Sequence, residues 1–317
     1  MKVLLDNALG HIAITRMLPY WKNMGVSITT NPNEKHDAML SFVRFGMNTK
    51  QPRILRLDGL YYDSDTQYNG RNTAISEAHA SADGIVYQSI HSSKMCERYL
   101  SKRRKNARHT IIYNGVQKDW CGSPIAHDGI NIAVANKHRR HKRLKEIIDL
   151  FIQFLRYDPN STLHIFGRLH DNKEVKHPKI KYYGQVERDK LIDVYRRTDM
   201  SIHLSKRDSC PNSVVEYLGA GIPVITTNNC GGATEMCRMS EGCYIIEGDG
   251  DYDNLDPVPH YRDSWNVLPD IVSSGILEAM IKVAKERPRA VMSDVLTSEH
   301  MAKCYLQYIY EVVGWIN

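Results

Sequence analysis

The feature that most constrains this chain is a strand–helix alternation that runs, breaks once and starts again. The first run opens with KVLLD (Lys2–Asp6), a Gly-containing turn at Leu9-Gly10-His11, and an amphipathic helix over 12–24. VSITT, AMLSFV and RILRLD follow as strands, then a helix around 73–81, the strand GIVYQS, and HTIIYNGV to close. The break is CGSPIAHDG, residues 121–129, where Gly, Pro, Ser and Asp replace the periodic pattern. Beyond it come INIAVA, a helix over KRLKEIIDLFIQFLRY, then STLHIFG, IKYYG, DKLIDVYRRT, MSIHLS, NSVVEYLGAG and IPVITT. Helices around 274–287 and 297–312 finish the chain. Leu144, Ile147, Ile148, Phe151, Ile152, Phe154 and Leu155 form an apolar stripe at helical spacing. Strands alternating with helices of this length predict an α/β architecture with parallel sheets, in two tandem halves.

Length and composition agree with that reading. A chain of 317 residues suits two modest domains, and 42% hydrophobic with 25% charged residues is ordinary for a soluble globular protein. No apolar run approaches the roughly 20 residues of a membrane span. The opening segment is interrupted by Asp6, Asn7 and Gly10, which argues against a secretory leader. The seven cysteines form no Cys-x-x-Cys pair and read as reduced thiols, which points to the cytoplasm. The net charge of +6 gathers in two runs, Lys102–Lys105 with Arg108, and Lys137–Arg143. Such runs suit phosphate on a nucleotide, DNA or an anionic membrane surface, with peripheral rather than spanning association.

Residues 203–225, HLSKRDSCPNSVVEYLGAGIPVI, are the most informative stretch. A strand ending near Ser205 leads through a loop to a helix beginning near Asn212. Backbone N–H groups at Asn212 and Ser213, and the positive end of that helix, would face the crevice at the strand's carboxyl edge, where a diphosphate binds well. Glu216 lies eight residues beyond Asp208, so a carboxylate there could accept hydrogen bonds from sugar or ribose hydroxyls. By spacing alone, Glu216 reads equally as a helix-surface charge and Asp208 as a loop residue.

The segment resembles the donor signature of retaining glycosyltransferases of the GT-B fold, particularly glycosyltransferase family 4: two acids eight residues apart, then a helix and a Gly-x-Pro-Val/Ile strand. Here these are Asp208, Glu216 and Gly221-Ile222-Pro223-Val224, with Asp where the family has Glu. The resemblance gives Glu216 the donor's ribose and Asp208 the transferred sugar. It also assigns Lys137 and Lys142 to the donor diphosphate, with Lys137 standing where the family has Arg and Arg139, Arg140 or Arg143 as alternatives for that donor contact. IYNGV, YGQV and NCGGATEM are similar landmarks, and the last offers Glu235 as a second sugar or ribose contact. In the first half, Gly10 falls where such enzymes bring a loop over the donor phosphates, and His11 falls near the acceptor. Relatives carry a histidine in the middle of this domain; RLDGLYYDSD has none, and Asp58 is the candidate for that position.

The resemblance implies two Rossmann-like domains facing each other across a cleft, with a C-terminal helix crossing back to the N-terminal domain. The expected boundaries are 1–120 for the acceptor-binding domain, 128–296 for the sugar-nucleotide domain and 297–317 for the returning helix. The expected reaction moves a sugar from a UDP-, GDP- or ADP-sugar to a glycan or other hydroxyl acceptor, in glycan or surface-polysaccharide synthesis. No cofactor is expected, and lysines with helix dipoles would take the metal's role, although Asp63-Ser64-Asp65 superficially matches a metal tripeptide. A DNA-modifying glycosyltransferase acting on hydroxylated bases, an epimerase or phosphorylase on the same fold, and a non-catalytic sugar-nucleotide-binding or nucleic-acid-binding protein are the alternatives.

Overall fold

The computed structural model describes residues 1–8, 10–61, 68–118, 120–170, 174–206, 208–248 and 270–314. The chain divides into two compact units, the first taking in Met1–Gln117 and the last stretch from Asp294, the second running between them.

The first unit holds six parallel strands, β1 (Lys2–Asp6), β2 (Ser27–Thr29), β3 (Ala38–Phe42), β4 (Arg53–Leu57), β5 (Gly84–Tyr87) and β6 (Arg108–Ile111), in the order β2-β1-β3-β4-β5-β6. Helices α1 (Ile12–Asn23), α2 (Tyr68–Ser81) and α3 (Ile90–Tyr99) make crossovers. Most residues of β1, β3, β4 and β5 are buried, which is why they read as apolar runs rather than alternations. One face packs Val3, Leu5, Met17 and Trp21 against Met301, Tyr305 and Ile309 of the chain's last helix, Ser298–Val313. Trp21 Nε1 donates to the Ala302 carbonyl at 3.0 Å, and Tyr308 accepts the Ile85 amide at 2.8 Å. The other face packs Leu55, Leu57, Ile75 and Tyr87.

The second unit repeats the plan with β7 (Asn131–Ala135), α4 (Leu144–Phe154), β8 (Thr162–Phe166), β9 (Ile180–Gly184), α5 (Arg188–Tyr195), β10 (Met200–His203), α6 (Asn212–Gly219), β11 (Val224–Thr227), α7 (Gly232–Met239), β12 (Tyr244–Ile246) and α8 (Asp270–Glu286). The last helix is therefore α9. The strands are again parallel, in the order β12-β11-β10-β7-β8-β9. The α4 stripe packs Leu144, Ile147, Ile148, Phe151 and Phe154 onto the sheet and onto Met280 and Val283 of α8. Ile152 does not join it and stands 38% exposed, while Leu150 is buried.

Three elements differ from the sequence expectation. The stretch Ile90–Tyr99 is a helix, capped by Ser89, whose side chain accepts the Ser92 amide. The NCGGATEM stretch leads into a helix rather than forming only a turn, and a short strand follows at 244–246. The tripeptide Asp63-Ser64-Asp65 and the acid-rich stretch beyond Gly248 lie outside the described residues.

In each sheet the winding reverses once, between β1 and β3 in the first and between β7 and β10 in the second. Loops leaving the carboxyl ends of two such strands diverge to opposite faces and leave a crevice, the usual ligand position in open α/β sheets.

Candidate active site

The second unit's crevice is built by the loops that follow β7 and β10. The loop after β7 is pinned to the loop after β8: the His138 amide donates to the Arg168 carbonyl at 2.9 Å, and His138 Nε2 to the Phe166 carbonyl at 2.8 Å. Gly167 permits this approach. Its φ is +100°, and a Cβ there would lie 1.9 Å from the Asn136 carbonyl oxygen. A single 3-10 turn, Arg140–Lys142, then leads to Arg143, which is buried with a left-handed backbone (φ 54°) at the start of α4. The Lys206 amide donates to the His141 carbonyl at 3.2 Å and ties the two crevice loops together.

Between these loops Lys142 Nζ donates to Asp208 Oδ2, with the two side chains 15% and 14% exposed. His203, the last residue of β10 and 1% exposed, lies beneath, its Nε2 3.5 Å from the same oxygen. Burial works to raise the Asp208 carboxyl, but the Lys142 ammonium and the adjacent His203 ring outweigh it and hold the group far below the usual carboxylate range. Burial pushes His203 the other way, downward, so the ring is neutral, and its Nε2 faces the carboxylate without a formed hydrogen bond. Burial and the adjoining Lys142 charge take His141 down to about 3, and burial also lowers His138. The seven-residue basic run is therefore less cationic than its letters suggest, because both imidazoles are neutral. Lys137 is exposed on the loop, and Arg139 is half-buried, with its charge acting on His141.

Helix α6 begins at Asn212 and Ser213, both half-buried, behind Pro211, which makes no side-chain cap. The helix N-terminus thus presents backbone donors with no side-chain oxygen of its N-cap residue among them. Glu216 lies on the second turn, half-buried, where its charge acts to raise the Tyr195 and Tyr217 hydroxyls. The Asp208 carbonyl accepts the Gly232 amide at 2.7 Å, which locks the Asp208 loop to the start of α7; Glu235 lies in that helix's first turn. Gly231 enters α7 at φ 60°, ψ −129°, a backbone region that favours glycine.

The first unit carries a second polar cluster at the carboxyl ends of its strands. His11, the N-cap of α1, brings Nε2 to 3.0 Å from Asp58 Oδ2 and packs at a tilt on the Phe42 ring, centroids 4.6 Å apart. Asp58 also accepts from Arg56 and from Gln88 Nε2. Arg56 is 1% exposed, lies over the same Phe42 ring and donates to Asn114 Oδ1 at 2.8 Å; Asn114 in turn donates to Gln88 Oε1 at 3.0 Å. Burial acts to raise the Asp58 carboxyl, but Arg56 and His11 together hold it below its ordinary value. Gly10 sits beside this cluster with φ +78° and open space at its Cα, while Leu9 lies outside the described residues. His11 and Asp58, separate candidates in the sequence, are thus one hydrogen-bonded pair.

Sequence reasoning missed His203, Arg56, Gln88 and Asn114. Only Arg56 left a signal, as a charge inside the otherwise apolar strand RILRL.

Residues 122–255 match the family model described as glycosyl transferases group 1. Among curated proteins, none matches the chain in sequence. Among solved structures, sucrose-phosphate synthase from Thermosynechococcus elongatus is similar over 100% of both chains, with a TM-score of 0.66 and 11% identity. HepE from Anabaena, in complex with UDP-glucose, is similar over 97% of this chain and 99% of its own, with a TM-score of 0.60 and 12% identity. The pneumococcal O-GlcNAc transferase GtfA, in complex with UDP and GlcNAc, gives 0.59 and 12%, over 94% of this chain and 60% of its own. Over its full length the chain has the α/β fold of the GT-B glycosyltransferases, and its second unit carries the stretch that matches glycosyl transferases group 1.

Proposed function

We propose that the protein is a retaining glycosyltransferase that moves a sugar from a nucleoside-diphosphate sugar to an acceptor hydroxyl, in glycan or surface-polysaccharide synthesis. The observation that carries this reading is the Lys142–Asp208 pair at the β7/β10 winding reversal, beside the N-terminus of α6. A cation and a helix N-terminus converging on one crevice are the elements that stabilise a departing diphosphate.

In this mechanism Lys142, with Arg139 and Lys137 nearer the surface, neutralises charge as it develops on the leaving diphosphate. The amides of Asn212 and Ser213 add hydrogen bonds to the same oxygens. Asp208 stays ionised beside Lys142 and accepts hydrogen bonds from hydroxyls of the transferred sugar. Glu216 takes the ribose, with Glu235 as a further contact. In the first unit, Asp58 fixes the His11 ring, and His11, with Gly10 beside it, orients the acceptor. Asp58 then acts as a positioning residue, since its oxygens are already occupied by Arg56, Gln88 and His11. No divalent metal takes part. The similarity to a protein solved with UDP-glucose makes UDP-sugars the first donors to try.

The test is calorimetry with UDP, GDP, ADP and their sugar conjugates, without divalent metal. One nucleotide should bind selectively, and Lys142→Ala should weaken it by about 10²-fold, two charge-assisted contacts' worth. If no nucleotide binds the folded protein, the transferase reading fails. If one binds but is never turned over with any acceptor, the protein is a sugar-nucleotide-binding protein.

A further inference from the structure

The basic run Lys102–Arg108 plays no part in the chemistry above, and it does not form a loose solvated end. Arg103 donates from Nε to Glu97 at 2.6 Å and from Nη1 to the Ala107 carbonyl at 3.0 Å, so one guanidinium braces both ends of the loop. The Ser101 carbonyl is hydrogen-bonded to His79 at 2.7 Å, and the Ser101 amide donates to Ser76 Oγ at 2.7 Å. The Ala107 amide closes a turn on the Arg104 carbonyl at 3.0 Å. His79 and Glu97 are further joined through the buried Tyr87 hydroxyl, so the loop rests on an internal network.

That braced loop borders a cavity of about 300 Å³ at the amino ends of β5 and β6, the sheet edge opposite the His11–Asp58 cluster. Arg104, Lys105 and Arg108 line it, with Asn106 as a neutral donor and Asp83 as the one carboxylate among the described lining residues. Asp83 is already engaged, accepting the Arg53 amide at 2.9 Å and pairing with Arg104. Lys105 and Arg108 make no ion pair among the described residues. Three cations against one carboxylate leave a surplus of two positive charges around one cavity. Cations gathered around one cavity repel one another, and a dianion relieves that repulsion.

We propose that the cavity bounded by Asp83, Arg104, Lys105, Asn106 and Arg108 is a binding site for a phosphate group. The charge surplus matches a phosphate dianion, and guanidinium forks fit its oxygens in pairs. The cavity is larger than a bare phosphate needs, so a phosphomonoester or lipid headgroup fits equally. A nucleic acid does not, because it requires a basic stripe longer than this single cluster.

Two titrations separate the sources, one with inorganic phosphate by calorimetry and one with phosphatidylglycerol vesicles by co-sedimentation, phosphatidylcholine serving as the neutral control. Lys105 and Arg108 are exposed, so Lys105→Glu with Arg108→Glu should fold normally. A matched reversal at the exposed Lys22 and Lys35 has the same net charge, and Lys105→Arg with Arg108→Lys keeps the cations. Phosphate binding about tenfold weaker in the cavity reversal only, and retained in the charge-keeping variant, supports a soluble ligand. Vesicle capture with that same variant dependence, without phosphate binding, supports a lipid headgroup. Binding to neither probe, or equal loss in both reversals, overturns the proposal.

Discussion

Lys142 and Asp208 are each mostly shielded from water, and each is the other's counter-charge. Removing one partner from such a pair costs more than the pair itself stabilises, because the survivor remains desolvated and unpaired. Lys142→Met and Asp208→Asn should each lose roughly 3 kcal/mol in urea unfolding, at the low end for buried pairs because both keep some exposure. The double variant should lose clearly less than the sum. The histidines set the acid limit. His141 titrates at about 3 in the fold, against roughly 6.5 in an unfolded chain. The unfolded chain therefore binds more protons between those values; stability is complete above the higher value and falls as pH drops towards the lower. From about pH 7.5 to about pH 5, His141 alone should remove about 2 kcal/mol, and the lowered His203 and His138 act in the same direction. Asp208, held below the carboxylate range, keeps its contribution until the pH falls below roughly 4. Urea midpoints at the two pH values check this, and a flat profile would mean that the imidazoles are not buried neutral. At this scale the letters were only partly legible. The charge of Lys142 and Asp208 could be read, whereas nothing in a run of seven basic letters says that both of its imidazoles are neutral.

The elements themselves were legible wherever hydrophobic periodicity was strong, as in α4 and the paired strands. It failed at α3, whose buried face consists of His91, Ser92, Met95 and Cys96, a mixture with no apolar stripe to find. It failed at α7, an eight-residue helix that begins on a Gly-Gly pair. Both helices are held by tertiary context rather than by pattern. The same holds for the close pairing of the loops after β7 and β8, which depends on Gly167. Gly167→Ala places a methyl where the Asn136 carbonyl sits and demands a left-handed backbone from alanine. The loop carrying Lys137 to Lys142 has to move, so nucleotide binding should weaken by about tenfold or more, with a thermal midpoint several degrees lower. An unchanged affinity would show that the loop's position does not depend on this contact.

For the whole molecule, the last helix matters out of proportion to its length. Met301, Tyr305 and Ile309 of α9 complete a core otherwise made by β1, β3 and α1, and Met301 Sδ also accepts the Gly115 amide at 3.3 Å. Met301→Ala should cost about 2–4 kcal/mol, read from chemical unfolding followed by Trp21 fluorescence, since Trp21 is fully buried in that same core. The chain is drawn back into this unit by a short parallel bridge between Val116 and Thr297, where the Val116 amide donates to the Leu296 carbonyl and the Ser298 amide to the Val116 carbonyl. Gly115 lets the two strands of chain approach, since a Cβ there would lie 2.4 Å from the Thr297 carbonyl oxygen. In sequence, then, the second unit is an insertion within the first. A ribosome makes the first unit's sheet early but releases its closing helix only after the entire second unit has emerged. The usual order of synthesis, in which the amino-terminal domain folds first, is inverted here. The nascent sheet waits with one apolar face only partly covered for some 180 residues of translation, roughly 9–36 seconds at about 5–20 residues per second, an interval in which a chaperone has something to hold.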